Sequence, residues 1–451
     1  MKLDRSFYAR LLALAVPIII QNFISSSLNL FDVLMIGQLG EVTVAAVGLS
    51  NQIFFLLMFL LFGISSGAGV FTAQLWGKGD VPSIHRVMGI SLAMGLTGSL
   101  FFSFMAIVLP QVSLSIYTND PAVIQAGLGY LRLSGLSYPM TAISFTYAAT
   151  LRSTGNTRPP MFVSAITISL KTLLNYLLIF GHLGLPAMGI QGAALSTVIA
   201  RTLECLLLLG YTYLRRAPTA APLHRLIAFQ RSFVVNFLKI AFPVVINEML
   251  WSLGISTYNA IYAHISTEAA AAIQIAGTIE NLAFVIFIGI SDATGILVGN
   301  KIGAQEQDTA YTYARRALML GAGGAMLIGA CIYLLSGNIL SLYKVSPEVL
   351  DYARRILLVM AFVLWIRVSN MTAIVGILRS GGDTRFSMFL DGGTMWVVGV
   401  PSALLAAFVF HLPVYWVYLV IMSEELVKFF VSLWRFRSRR WIHNISQTVP
   451  A

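Results

Sequence analysis

Charge is what this chain has least of. Only 10% of its 451 residues are Asp, Glu, Lys or Arg, while 57% are hydrophobic; ordinary globular chains carry about 25% charged residues. So little polar surface cannot cover a water-soluble core of this length, and the composition places the chain in lipid. Cysteine is nearly missing as well. Its two copies, Cys205 and Cys331, both sit inside apolar runs, which excludes a disulfide framework and a cysteine metal site. The six histidines (His85, His182, His224, His264, His411 and His443) are scattered, and no GxxxxGK[ST], HExxH or CxxC segment occurs. ATP-driven transport and zinc-protease chemistry therefore lack support, no metal or cofactor is expected, and the chain reads as a non-enzyme. Acidic residues are fewer than basic ones, 18 against 29, for a formal charge of +11. In a soluble protein that balance would suggest nucleic acid. Here the basic residues fall in short loops between apolar runs, which is a membrane-topology pattern, and no nucleic-acid partner is expected.

What is present is a series of apolar stretches, and crossing about 30 Å of hydrocarbon takes about 20 residues of helix. Twelve candidate spans lie near residues 11–36, 46–76, 87–110, 122–150, 160–182, 188–213, 234–264, 269–300, 314–342, 352–377, 386–410 and 413–434. Open sheet edges are not tolerated in lipid and the even alternation of a barrel strand is absent, so the spans are expected to be helices. Loop charge orients them. Lys2, Arg5, Arg10, Lys78, Arg86, Arg152, Arg158, Arg215 to Arg231, Lys301 to Arg316, Arg379, Arg385 and Arg435 to Arg440 fall on one side, against Lys344, Arg354 and Arg355 on the other. That asymmetry predicts an even span count, both termini in the cytoplasm and a multi-pass inner (plasma) membrane protein. Asp32 inside the first long run, with no small-residue cleavage site, argues against a cleavable leader.

The chain repeats itself. At an offset of 226, Pro17 meets Pro243, Gly63-Ile64-Ser65 meets Gly289-Ile290-Ser291, Gly69 meets Gly295 and Gly77 meets Gly303. At 227, LRSTGNTRPPMF (151–162) meets LRSGGDTRFSMF (378–389). Matched Pro, Gly and Arg punctuation at offsets that differ by a single residue is a duplication, not shared apolar composition. The expected fold is all-α and integral to the membrane: twelve transmembrane helices in two pseudo-symmetric six-helix bundles related by an axis along the membrane normal. The predicted divisions are an N-terminal lobe over 1–213, a cytoplasmic linker over 214–233, a C-terminal lobe over 234–435 and a basic tail over 436–451. Two similar bundles around a cleft suit an alternating-access carrier.

Pro17 together with LFDVLMIGQLGEVTVAAVGLSNQ (30–52), GVFTAQLWGKGD (69–80) and NYLLIFGHLGLPAMGIQGAALST (175–197) resembles the multidrug and toxic compound extrusion (MATE) family of the polysaccharide-exporter and flippase superfamily. The resemblance covers nearly the whole chain. It implies a two-lobe exporter of amphipathic, often cationic, drugs in exchange for H+ or Na+, with Asp32 as the coupling acid. The family's sodium pattern implies polar side chains one turn apart on helix 5 and a threonine on helix 6; Asn175 and Thr197 match. Lys171 departs from that pattern, since it stands where an oxygen ligand is expected. The helix 10 aspartate of one branch of the family is Val368 here, which leaves a C-terminal coupling site of that kind without its acid.

A lone carboxylate deep in a span is expensive and functional by default. Asp32 fits that description, and its repeat equivalent is Tyr258, so the fold does not require an acid there. The structural alternative is an acid that only locks helix packing. An ammonium at Lys171 would repel Na+ and serve as a tethered counter-ion for Asp32, which favours H+ with Na+ still open; alternatively Lys171 reaches a helix end. In the second half, Glu248, Glu280, Glu424 and Glu425 lie near mid-depth, and Arg367 is read as the basic residue at that level. Glu248, Glu280, Trp251, Asp292 and Tyr258 are the candidate substrate contacts, a flat cation being suited to acid plus aromatic surface. The alternative is an internal ion-pair network, which is preferred for Glu424 and Glu425 beside Lys428. Asp391 is read as solvated at the cytoplasmic mouth, Arg201 and Glu204 as a local helix pair, and Arg152 and Arg379 as heads of cytoplasmic connections. Pro17, without an amide donor, is the expected hinge of helix 1. These readings converge on a secondary active multidrug antiporter, a monomer in the lipid bilayer; a lipid-linked oligosaccharide flippase is the alternative.

Overall fold

The structure, a computed structural model, describes residues 5–227, 230–341, 343 and 345–447. Lys2 and Lys344, both counted in the charge pattern, lie outside these residues, as do parts of the linker and tail. Every regular element among the described residues is helical, as lipid demands of a backbone that must satisfy its own hydrogen bonds. Among the described residues, ten helices are long and apolar enough to cross a membrane: α1 (Ser6–Gly37), α2 (Glu41–Lys78), α3 (Val81–Ile107), α5 (Arg158–Phe180), α6 (Ile190–Leu214), α7 (Arg231–Ile265), α8 (Thr267–Gly303), α9 (Gln307–Leu340), α10 (Pro347–Arg379) and α11 (Thr384–Val409). The fourth and twelfth predicted spans are each a helix in two pieces, α4 as Pro121–Gly135 and Tyr138–Ser153, and α12 as Val414–Ile421 and Ser423–Arg437.

The break in α4 has a chemical cause. Pro139 has no amide to give the carbonyl one turn back, that of Gly135. The Ser103 hydroxyl donates to that carbonyl at 2.8 Å, and Ser137 Oγ donates to Ser134 O at 2.6 Å. The Ser103 hydroxyl thus replaces the missing backbone donor inside the apolar layer, while Ser134 O also keeps a backbone donor, Ser137 N–H at 2.9 Å. Helices α10 and α11 also depart from ideal geometry, with π-helical turns over Thr372–Arg379, Phe389–Gly393, Met395–Gly399 and Leu405–Val409. The repeat counterpart of α11, α5, is regular from Arg158 to Phe180.

The duplication is visible in the backbone. Gly155 and Gly382, equivalent in the repeat, adopt φ of +85° and +87°. Gly155 N–H donates to Arg152 O at 2.9 Å and Gly382 N–H to Arg379 O at 2.8 Å; Asn156 N–H to Leu151 O and Asp383 N–H to Leu378 O follow at 2.9 and 3.0 Å.

The chain divides into two compact units that are not contiguous in sequence. One comprises the described residues within Met1–Ile19, Gly77–Gly79 and Phe242–Thr448; the other, those within Ile20–Trp76 and Asp80–Ala241. The sequence reading cuts instead at the 214–233 linker. The difference arises because α1 and α7 each change unit part-way along, next to Pro17 and Pro243 respectively. Close packing explains the membership. A Cβ on Gly289 of α8 would fall 3.2 Å from Ala15 O and 2.5 Å from Ile19 Cγ1, so the first part of α1 lies flush on α8. A Cβ on Gly67 of α2 would fall 2.6 Å from Ala241 Cα, which seats the first part of α7 on α2.

Candidate functional site

In the unit holding most of the N-terminal half, Asp32 on α1 is 7% exposed. Lys171 and Asn175 on α5 are one turn apart and so share a face. Both reach Asp32: Lys171 Nζ lies 2.6 Å from Oδ2, and Asn175 Nδ2 donates to Oδ1 at 2.6 Å. Each carboxylate oxygen therefore has its own donor, one charged and one neutral. Asn175 is itself fixed by Ser196 on α6, whose hydroxyl donates to the amide oxygen. Thr197, the helix 6 hydroxyl expected here, turns back onto its own helix and donates to Ala193 O at 2.9 Å. The residue that completes the site is its neighbour Ser196. The signal that could have found it is modest: both hydroxyls fit the pattern, and only packing tells which one faces α5.

A second polar chain crosses the same three helices. Gln21 Nε2 on α1 donates to Ser164 Oγ on α5 at 2.9 Å, Ser164 Oγ donates to Glu204 Oε1 on α6 at 3.4 Å, and Arg201 Nη1 binds Glu204 Oε2 at 2.7 Å. The local pair read from sequence is thus one end of a three-helix contact.

The other unit holds a continuous ionic network. Arg379 is 2.6 Å from Glu248 and 3.9 Å from Asp391. Lys428 is 3.0 Å from Asp391, 3.5 Å from Glu424 and 3.9 Å from Glu425. Arg367 is 4.0 Å from Glu425 and pairs with Glu280. Neutral groups complete it: Asn247 Nδ2 donates to Asp391 Oδ2 at 3.0 Å, Asn370 Nδ2 to Glu425 Oε2 at 2.7 Å and the Tyr258 hydroxyl to Glu424 at 2.8 Å. Five carboxylates face three basic groups, an excess of two acids.

Three sequence readings change here. Arg379 heads the connection after α10 but is itself 3% exposed and ion-paired; Asp391 is held by Arg379, Lys428 and Asn247 rather than solvated; and Arg367 is not the one basic residue near these acids, since Lys428 also reaches Glu425. Of the candidate substrate contacts, Glu248, Glu280 and Tyr258 belong to this network, whereas Trp251 is 43% exposed and Asp292 lies on the exposed face of α8. Val368 is fully buried among apolar side chains. Residues 63–67 read GISSG, the spacing of a hydrolase nucleophile elbow, but Ser65 sits mid-helix in α2 without the strand and turn which that chemistry needs.

The two units use one polar scaffold with exchanged charges. Counting α6 and α12 from their first residues, Ile190 and Val414, gives an offset of 224 (414 − 190) and pairs Glu204 with Lys428 and Arg201 with Glu425. Gln21 pairs with Asn247 and Ser164 with Asp391 through the repeat. Amide to helix 5 or 11, then to helix 6 or 12, then to a neighbour of opposite charge is the same sequence of contacts in both units.

Comparison with known proteins bears on the fold and the family. The chain is 27% identical over 445 residues to the uncharacterized transporter YisQ of Bacillus subtilis, covering 97% of this chain and 96% of that one. It is 25% identical over 436 residues to the probable multidrug resistance protein NorM of Thermotoga maritima, covering 96% and 92%. The crystal structure of a variant of the Vibrio cholerae MATE transporter VcmN superposes with a TM-score of 0.89 over 98% of this chain and 99% of that one, at 18% identity. The MatE family model matches residues 17–177 and 243–405, one stretch in each repeat, and the chain therefore belongs to the MATE family and is a multi-pass membrane transporter.

Proposed function

We propose that the protein is a secondary active multidrug exporter of the plasma membrane that moves organic cations out of the cytoplasm in exchange for protons. The observation that carries the reading is the Lys171–Asp32 pair at 2.6 Å. A Na+ ion at this carboxylate would have to displace an ammonium already bound there, and the two cations repel strongly in a low-dielectric site. A proton needs no vacant coordination shell. When Asp32 accepts one, its attraction for Lys171 is lost, and the contact between α1 and α5 weakens. Coupling follows if drug and proton favour different arrangements of these helices, because each then shifts the population against the other. Pro17, four residues before Gln21 on α1, is the bend about which α1 responds.

Export of drugs is supported by the multidrug resistance proteins among the relatives. A cationic substrate is supported by the excess of two carboxylates in the second unit; Glu248, Glu280 and Asp292 supply negative charge, Tyr258 and Trp251 aromatic surface. The flippase alternative finds no support. It would need a basic surface for pyrophosphate.

The test is purified protein in liposomes with ethidium as a fluorescent organic cation. An imposed pH gradient drives ethidium movement and a Na+ gradient does not. Movement on a Na+ gradient at fixed pH would contradict proton coupling.

A further inference from the structure

We infer that Glu204 is the inward relay for the proton carried by Asp32, a role that rests on the proton-coupled reading above. The two polar clusters of the first unit stand on the same three helices: Asp32 and Gln21 on α1, Lys171 and Ser164 on α5, Ser196 and Glu204 on α6. Seven residues separate them on α5 and eight on α6, about 10 to 12 Å along the axes. The Glu204 cluster is the one nearer the face bearing the basic loops, which their charge asymmetry assigns to the cytoplasm. On α1, Gln21, Ser25 and Asp32 fall on one face, with Leu28 the apolar residue between Ser25 and Asp32.

The chemistry of the lower cluster suits transient protonation. Glu204 is 9% exposed; one oxygen is held by Arg201 at 2.7 Å, while the other has only a long contact, 3.4 Å, from Ser164. Gln21 Oε1 is buried and has no hydrogen-bond partner. An orphan acceptor beside an under-used carboxylate is costly in a membrane interior, and a passing protonated group or water supplies the donor it lacks. The fold does not demand an acid at this place, since the equivalent residue in the other unit is Lys428. Arg201 and the Cys205 thiol are the titratable neighbours on α6 itself; α1 and α5 present the neutral Gln21 and Ser164.

In the proposed step the O–H bond of protonated Asp32 breaks and its electron pair stays on the carboxylate, which Lys171 then stabilises. Water on the Ser25 face of α1 conducts the proton to Glu204 Oε1. Protonated Glu204 loosens its hold on Arg201, releases the proton to bulk water at the basic face, and recovers the pair.

The test uses the full chain in liposomes and in detergent, with ethidium as probe, in Glu204→Gln, Glu204→Asp and the charge-neutral double variant Arg201→Gln/Glu204→Gln. Glu204→Gln and the double variant slow pH-driven ethidium export by at least about tenfold, whereas Glu204→Asp retains it. The pH midpoint of ethidium affinity, set by Asp32, stays at its wild-type value in all three. Export at the wild-type rate in both Gln variants would overturn the relay. Loss of ethidium affinity in the double variant would assign the pair a structural role and overturn it equally. Failure of the coupling reading looks different: Asp32→Asn would then export like wild type, whatever Glu204 does.

Discussion

Lys171 Nζ sits 2.6 Å from Asp32 Oδ2, on the helix face where Asn175 holds the other oxygen. The ammonium and the amide thus occupy both carboxylate oxygens from within the chain, the contact on which the proposed proton coupling rests.

Replacing Lys171 by Asn tests that statement. Removing one partner of this half-buried ion pair leaves the Asp32 charge without its counter-ion, and proton-driven ethidium export should fall by more than about tenfold. The new amide also supplies an oxygen in place of a repelling charge, so export should become sensitive to Na+ where the wild type is not. A variant with unchanged proton-driven export and no Na+ response would count against a counter-ion role.

Ser196 and Thr197 give a contrast between adjacent hydroxyls. Ser196→Ala leaves the Asn175 amide oxygen without its donor, a loss of about 1 kcal/mol or a little more, and should reduce coupled export several-fold. Thr197→Ala removes a hydroxyl that bonds only its own helix and should export like wild type. Steady-state rates for the two purified variants decide it, and the reverse order would restore Thr197 to the site.

Lys428 faces three carboxylates within 4 Å while only 3% exposed. Lys428→Met strands those charges and should destabilise the protein by about 3 to 5 kcal/mol, read as a lowered thermal midpoint in detergent. Adding Glu424→Gln, which removes one of the stranded acids, should recover part of the loss. An unchanged midpoint in the single variant would show that the acids are already protonated or solvated.

Much of this was legible in the sequence. Twelve spans follow from apolar runs, and the grouping of Asp32 with Lys171 and Asn175 follows from the resemblance to the family's helix 1 and helix 5 pattern. The split of α4 was not visible to a reading of apolar length, because Pro139 lies in a run that stays apolar across it. The sequence placed Lys428 beside Glu424 and Glu425 but gave Arg379 no partner and left Asp391 to solvent; that Arg379 turns toward Glu248 depends on α7, 131 residues away in sequence. The change of unit within α1 and α7 likewise depends on Gly289 and Gly67 meeting Ala15 and Ala241, contacts more than 170 residues apart in sequence. The same limit separates Ser196 from Thr197, since a one-residue step turns a side chain by about 100° around the helix.

The central claim is that Asp32 changes its charge during transport. The most direct measurement is ethidium export by Asp32→Asn in liposomes under an imposed pH gradient, alongside ethidium affinity against pH in detergent. The account predicts that export falls by about a hundredfold or more and that affinity loses its pH dependence, in a protein that still purifies as a folded species. Export at the wild-type rate, with affinity still following pH, would contradict it.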